Sequence, residues 1–135
     1  MDTRAKWRQG KVRARGKRRV PGQMNGTEQR YADEVLDVRL RHSQILDWAF
    51  EPDHLRLADR TFYVPDFRVM LPDGSIEFHE VKGTKRKKKD GVATGETAPY
   101  SRDKGLIKIK VAAETHPYVF RIVWRSKDGW NSQEV

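Results

Sequence analysis

Apolar residues recur at helical or strand spacing in several stretches, and these set the expected frame. In NGTEQRYADEVLDVRLRH (25–42), Tyr31, Ala32, Val35, Leu36 and Val38 gather on one side of a helical wheel. That spacing predicts a helix from about Thr27 to Arg41. ILDWAFE alternates Leu46, Trp48 and Phe50, the pattern of a half-buried strand over Ile45–Glu51. DHLRLADRTFY reads as a connection that becomes extended by Thr61. Phe67–Leu71 and Ile76–Lys82 read as strands joined by PDGS, and Gly83 to Arg102 as a long polar loop. RDKGLIKIKVAAETHP reads as a second helix ended by Pro117, with Gly105 weakening its first turn. YVFRIVW (Tyr118–Trp124) is an apolar, β-branched run typical of an interior strand. The expected order is α-β-β-β-α-β.

The turn between Leu71 and Ser75 sets a register. Pro72, Asp73 and Gly74 suit a three-residue hairpin loop with a glycine bulge. Leu71 then pairs with Ser75, so Asp66 faces Glu80. Asp66, Glu80 and Lys82 share one face at the end far from the turn, while Phe67, Val69 and Val81 point the other way. A two-residue turn would shift the register by one and separate the two acids. Two opposed carboxylates repel, and a sheet gains no stability from them. A divalent cation between them removes the conflict, since hard oxygen ligands suit Mg²⁺. A solvated face with an ordinary Glu80–Lys82 attraction is the alternative. His79, one residue from Glu80, alternates to the opposite face and reads as a packing or surface histidine.

A third acid lies on the first helix. At about 100° per residue, Glu28 falls near the middle of the apolar face, and Glu34 toward the polar edge with Arg30 and Asp37. A carboxylate aimed at the core needs a partner. Glu28 also sits where it can close a cap with Asn25, and the two roles are compatible.

Charge adds a second theme. The chain of 135 residues carries +9, with 36% hydrophobic and 35% charged residues, so its core is modest. Residues 1–20 hold nine of the basic side chains (Arg4, Lys6, Arg8, Lys11, Arg13, Arg15, Lys17, Arg18 and Arg19) against one acid, a local +8 that leaves about +1 for the other 115. Met1 to Gly22 is therefore expected to be a flexible nucleic-acid-binding arm, with a solubilising tail as the alternative. Trp7 within it suits base stacking or folding on binding. The domain proper is expected at 23–135. Lys85, Arg86, Lys87, Lys88 and Lys89 form a second basic run in the 83–102 loop. Lys108 and Lys110 on the second helix are further candidates for DNA backbone contacts, or else a solvated helix edge.

The absence of cysteine excludes a disulfide framework and thiolate metal sites. No apolar run approaches transmembrane length, and no apolar segment of secretory type opens the chain. An intracellular protein with no membrane partner is the simplest expectation. His42, His54 and His116 show no ligand spacing. Trp48 and Trp124 lie in expected strands and read as core residues.

Pro65-Asp66 followed by Glu80-Val81-Lys82 resembles the signature of the PD-(D/E)XK nuclease superfamily. TEQRYA, RLADRTFYVPDF, FHEVKG and KIKVAAE, in that order, resemble a family of small phage-encoded endonucleases close to the endonuclease I type of Holliday-junction resolvase. The resemblance spans about Met24 to Trp124. It implies an α/β restriction-endonuclease-like core with a mixed central sheet flanked by helices. It also implies Asp66 and Glu80 as Mg²⁺ ligands with the Val81 backbone carbonyl, Lys82 as the catalytic lysine and Glu28 as the helix carboxylate. Mn²⁺ is expected to substitute. The implied activity is metal-dependent hydrolysis of DNA phosphodiesters to 5′-phosphate and 3′-hydroxyl products, on branched or four-way junction DNA. A homodimer follows, because resolving a junction needs two cuts. The setting would be a phage-encoded protein in the bacterial cytoplasm. A less selective nuclease that nicks or trims DNA in phage replication or packaging is one alternative, and a non-catalytic nucleic-acid-binding protein another. The basic 83–102 insertion departs from the compact form of the family.

Deleting Met1 to Gly22 is expected to weaken binding to all DNA. It should also flatten the dependence of log K on log salt, by about 0.9 for each phosphate on duplex DNA that the arm neutralises. Anisotropy titrations at several salt concentrations measure this, and an unchanged slope would make the arm a solubilising segment.

Overall fold

The computed structural model describes residues 22–100 and 103–135. The arm cations from Arg4 to Arg19, and Trp7, lie outside the described residues. The first helix comprises α1 (Gly26–Tyr31), a π-helical segment (Ala32–Leu36) and α2 (Asp37–Arg41). β1 (Asp47–Phe50), β2 (Leu55–Ala58), β3 (Thr61–Tyr63), β4 (Phe67–Met70), β5 (Ile76–Val81), β6 (Thr84–Lys89) and β7 (Val92–Pro99) follow. α3 (Asp103–Thr115), β8 (Val119–Ser126) and β9 (Gly129–Glu134) complete the chain order.

The fold is α/β with a mixed five-stranded sheet in the order β1-β4-β5-β8-β9. Among the described residues, only the β5–β8 pairing is parallel, and α3 lies in the connection between these two strands. β8 is an interior strand, as its apolar run anticipated. Strand alternation sorts the side chains into two layers. Phe67, Val69 and Val123 pack with Tyr31, Ala32 and Leu36 of the first helix and with Ile45. Phe78, Phe120 and Ile122 pack with Ile109 and Ala112 of α3 and with Tyr63 of the β2–β3 ribbon. Trp48 and Trp124 pack against these two clusters respectively.

The observed element order is richer than expected. The DHLRLADRTFY connection folds into the β2–β3 ribbon. The expected 83–102 loop is chiefly the β6–β7 hairpin, turned by Asp90 and Gly91 at φ 52° and 77°. Two successive positive φ values are what a type I′ turn requires, and Asp-Gly supplies them at least cost. The lysine-rich strand before the turn hides this signal, because its exposed residues have no apolar alternation. Just before β1, Ile45 rather than Leu46 goes inside: Ile45 is 2% exposed and Leu46 is 53% exposed.

The register from the Pro72–Gly74 turn is the one observed. Leu71 N–H donates to the Ser75 carbonyl at 2.9 Å, Met70 pairs with Ile76 and Phe67 with His79. Gly74 adopts φ 85°, a conformation that disfavours residues with a Cβ.

A buried polar chain ties the first helix to β5. The Tyr31 hydroxyl lies 2.6 Å from His79 Nδ1, and His79 Nε2 lies 3.0 Å from Glu77 Oε2. Arg121 Nε donates to the other Glu77 oxygen at 3.3 Å. With Tyr31 donating, Nδ1 accepts and Nε2–H donates to the carboxylate. Burial holds the Tyr31 hydroxyl pKa up, and the His79 hydrogen bond holds the Glu77 pKa down. Tyr31→Phe leaves a buried imidazole nitrogen without its donor and is expected to cost about 1–3 kcal/mol. Urea unfolding measures it, and a cost well under that range would mean that the chain is not what clamps helix to sheet.

Candidate active site

The site forms at the end of the sheet far from the Pro72–Gly74 turn. Its first half comes from three segments. Glu28 sits in the first turn of α1, Glu51 follows β1 and Asp66 precedes β4. One carboxylate oxygen from each lies within 4.8 Å of those from the other two. Glu28 and Asp66 are buried, at 5% and 4% exposure. The local structure explains each placement. Asn25 caps the helix by accepting from Glu28 N–H at 2.8 Å, and Asn25 Nδ2 donates to Glu28 Oε1 at 2.6 Å. The cap therefore fixes the Glu28 rotamer beside the cluster, so capping and membership of the cluster coexist in one side chain. Val81 N–H donates to Asp66 Oδ2 at 2.8 Å, which holds that carboxylate across the strand pair.

Glu51 reads from the sequence only as the last residue of a strand. It adopts φ 46°, a left-handed conformation uncommon outside glycine, directly before Pro52. Its N–H donates to the Asp66 carbonyl at 2.8 Å. This turn away from strand geometry brings its carboxylate to Glu28 and Asp66. Its only sequence signal is an acid next to proline at a strand end. Strained backbone of this kind costs of the order of 1–3 kcal/mol and concentrates at functional sites.

The second half of the site is Glu80 with Lys82. Asp66 N–H donates to Glu80 Oε2 at 3.4 Å, and the Tyr63 hydroxyl donates to the same oxygen at 2.7 Å. Lys82 Nζ lies 3.3 Å from Glu80 Oε1. Burial, then the neighbouring Glu80 charge, pushes the Tyr63 pKa far up, so the phenol stays a donor. Asp66 and Glu80 are thus neighbours, but their carboxylates turn to different partners. Asp66 joins Glu28 and Glu51, whereas Glu80 joins Tyr63 and Lys82. Val81 contributes its N–H to Asp66.

A cleft of about 650 Å³ opens over this half, lined by Glu51, His54, Tyr63, Glu80, Lys82 and Lys108 among others. Lys108 also donates to the Phe62 carbonyl at 3.2 Å, while Lys110 is exposed and does not line the cleft. Gly105 has a reason to be in α3: a Cβ there would lie 3.2 Å from Lys82 Nζ. The missing side chain gives the ammonium its seat.

The remaining candidates play structural parts. His79 is 1% exposed and belongs to the helix–sheet clamp. His116 Nε2 lies 2.8 Å from the Arg56 carbonyl. Glu34 is on the exposed edge, as expected, yet accepts from Trp130 Nε1 at 2.7 Å and thereby ties β9 to the helix. That hydrogen bond is the main reason its pKa is lowered.

The donor set suits a hard cation. Ligand oxygens at 2.0–2.6 Å from Mg²⁺ or Ca²⁺ stand at most about 4–5 Å apart, which is the spacing Glu28, Glu51 and Asp66 already have. Three carboxylates this close, two of them buried, repel one another unless positive charge is near. No protein-family model, curated protein or solved structure matches the chain. No helix among the described residues is long and apolar enough to cross a membrane.

Gly105→Ala is expected to gain up to about 1 kcal/mol of helix stability while displacing the Lys82 ammonium by a few tenths of an ångström. Thermal melts report the first effect, and the NMR resonances of the Lys82 side-chain terminus the second. Unmoved Lys82 resonances would mean that Gly105 does not seat the lysine.

Proposed function

We propose that the protein is a metal-dependent endodeoxyribonuclease. The observation that carries this reading is the convergence of Glu28, Glu51 and Asp66 within 4.8 Å, next to Glu80 and Lys82 at the mouth of a cleft. The resemblance of Pro65-Asp66…Glu80-Val81-Lys82 to the PD-(D/E)XK signature agrees with it, and so do a mixed sheet flanked by two helices and the basic arm.

Glu28, Glu51 and Asp66 would hold the cation, with Glu80 beside them as a further carboxylate. A hard divalent ion, Mg²⁺ or Mn²⁺, supplies Lewis-acid activation of water and neutralises charge at the phosphate. The chain's own groups do the rest. Lys82 Nζ, held by Glu80, orients the attacking water or donates to a phosphate oxygen as charge develops there. Tyr63 keeps the Glu80 rotamer fixed, so the lysine has a defined position. Water attacks phosphorus, the bond to the 3′ oxygen breaks and that oxygen takes a proton, giving the 5′-phosphate and 3′-hydroxyl products implied by the resemblance. A pure binding protein gains nothing from acids facing phosphate, which favours an enzyme over a non-catalytic module. Branched DNA is the substrate class to which the resemblance points, with a homodimer making the paired cuts.

The test is incubation with a labelled four-way junction and a matched duplex, with Mg²⁺ or with chelator. Metal-dependent cutting of the junction in preference to the duplex is expected. Equal cutting would make the enzyme a general nicking nuclease, and binding without cutting would overturn the proposal. Asp66→Asn, Glu51→Gln and Glu80→Gln should each lower the cleavage rate by more than the roughly 10–100-fold that removing a partner of a metal ligand costs. DNA affinity should be retained or raised, because a charge that repels phosphate is removed. Glu34→Gln should cut at the wild-type rate.

A further inference from the structure

The β6–β7 hairpin helps line a second cleft, of about 820 Å³, whose lining includes Gly83 and Thr84 directly after Lys82. Tyr100 N–H closes the hairpin base on the Gly83 carbonyl at 2.6 Å. The Thr84 hydroxyl donates to the Arg125 carbonyl, and Trp124 Nε1 donates to Thr97 Oγ1 at 3.3 Å, so β8 anchors the hairpin. The charged lining residues are Arg30 from the first helix, Arg86 and Glu96 from the hairpin, and Arg125 and Lys127 at the end of β8. Two of these charges are already engaged. Glu96 lies 3.7 Å from Lys87, and Arg125 lies 3.4 Å from Glu34. Among the described residues, Arg30, Arg86 and Lys127 make no ion pair.

Among the described residues, the rest of the lining is Thr27, Thr84, Thr97 and Ser126 with small residues, and it contains no aromatic ring. Cationic side chains and hydroxyls are the donors that contact phosphate and sugar. Single-strand sites add aromatic platforms on which bases stack, and the described residues supply none to this cleft. We propose that it seats the sugar–phosphate backbone of a duplex DNA arm. Gly83 at its edge follows Lys82, and Thr27 precedes Glu28, so the arm would adjoin the phosphate cut at the first cleft. That adjacency rests on the nuclease reading; the binding of duplex backbone does not.

The test compares two full-length double variants that remove the same charge. Arg86→Ser/Lys127→Ser empties the cleft of two unpaired cations. Arg39→Ser/Arg41→Ser removes two cations from the end of the first helix. Anisotropy of a labelled duplex is read in chelator at several salt concentrations, with thermal melts confirming that both variants are folded. The cleft variant is expected to flatten the slope of log K against log salt by about 1.8, since each neutralised phosphate contributes about 0.9. The helix-end variant should keep the wild-type slope. An unchanged slope in the cleft variant, or equal flattening in both, would overturn the proposal. Chelator removes cleavage from the measurement, so a protein that never cuts DNA refutes the nuclease reading and leaves this test intact.

Discussion

Crowded negative charge at one end of the sheet is the constraint that organises this protein. Glu28, Glu51 and Asp66 place carboxylate oxygens within 4.8 Å of one another, and Glu80 stands beside them. Charges so close destabilise a fold unless something holds them and something neutralises them. Much of the surrounding architecture serves the holding. The Asn25 cap fixes Glu28, the Val81 amide fixes Asp66, Tyr63 fixes Glu80 and a left-handed backbone turns Glu51 inward. Each of these restraints comes from a different element, so the cluster exists only when the whole sheet end is assembled.

The clamp through Tyr31 and His79 links this cluster to the global fold. Tyr31 lies three residues after Glu28, on the same helix face, and His79 precedes Glu80. Their hydrogen bond therefore couples the helix that presents one carboxylate to the strand that presents another. The π-helical segment begins directly after Tyr31. Its i→i+5 bonding inserts an extra residue into the turn, so Tyr31 and Leu36, five apart, both reach the core. The helix thus keeps its apolar face on the sheet while its first turn stays aimed at the site.

What could be read from residues alone follows the same physics. The hairpin register was legible because Pro-Asp-Gly has one favourable turn geometry, and a one-residue slip would move every side chain to the other face. Glu28 was legible because a carboxylate on an apolar stripe is anomalous. Glu51 was not, because its position depends on one backbone angle after β1 that no periodicity encodes. The β6–β7 hairpin was hidden because a strand of lysines has no hydrophobic face to alternate, although Asp90-Gly91 carried the turn signal. The β2–β3 ribbon reads as a connection because each of its strands is short. The proposal of a nuclease rests on the resemblance of the motifs, to which the geometry adds a carboxylate cluster with metal-ligand spacing.

The central claim is that the sheet end is a divalent metal centre. Electron paramagnetic resonance of Mn²⁺ titrated into the full-length protein measures this without any substrate. Saturable binding of Mn²⁺ that Mg²⁺ displaces is expected. That binding is abolished in a Glu28→Gln/Glu51→Gln double variant and kept in Glu96→Gln, whose acid lies in the other cleft. Mn²⁺ that stays free in solution with the wild-type protein, or binding that survives removal of both carboxylates, would contradict it.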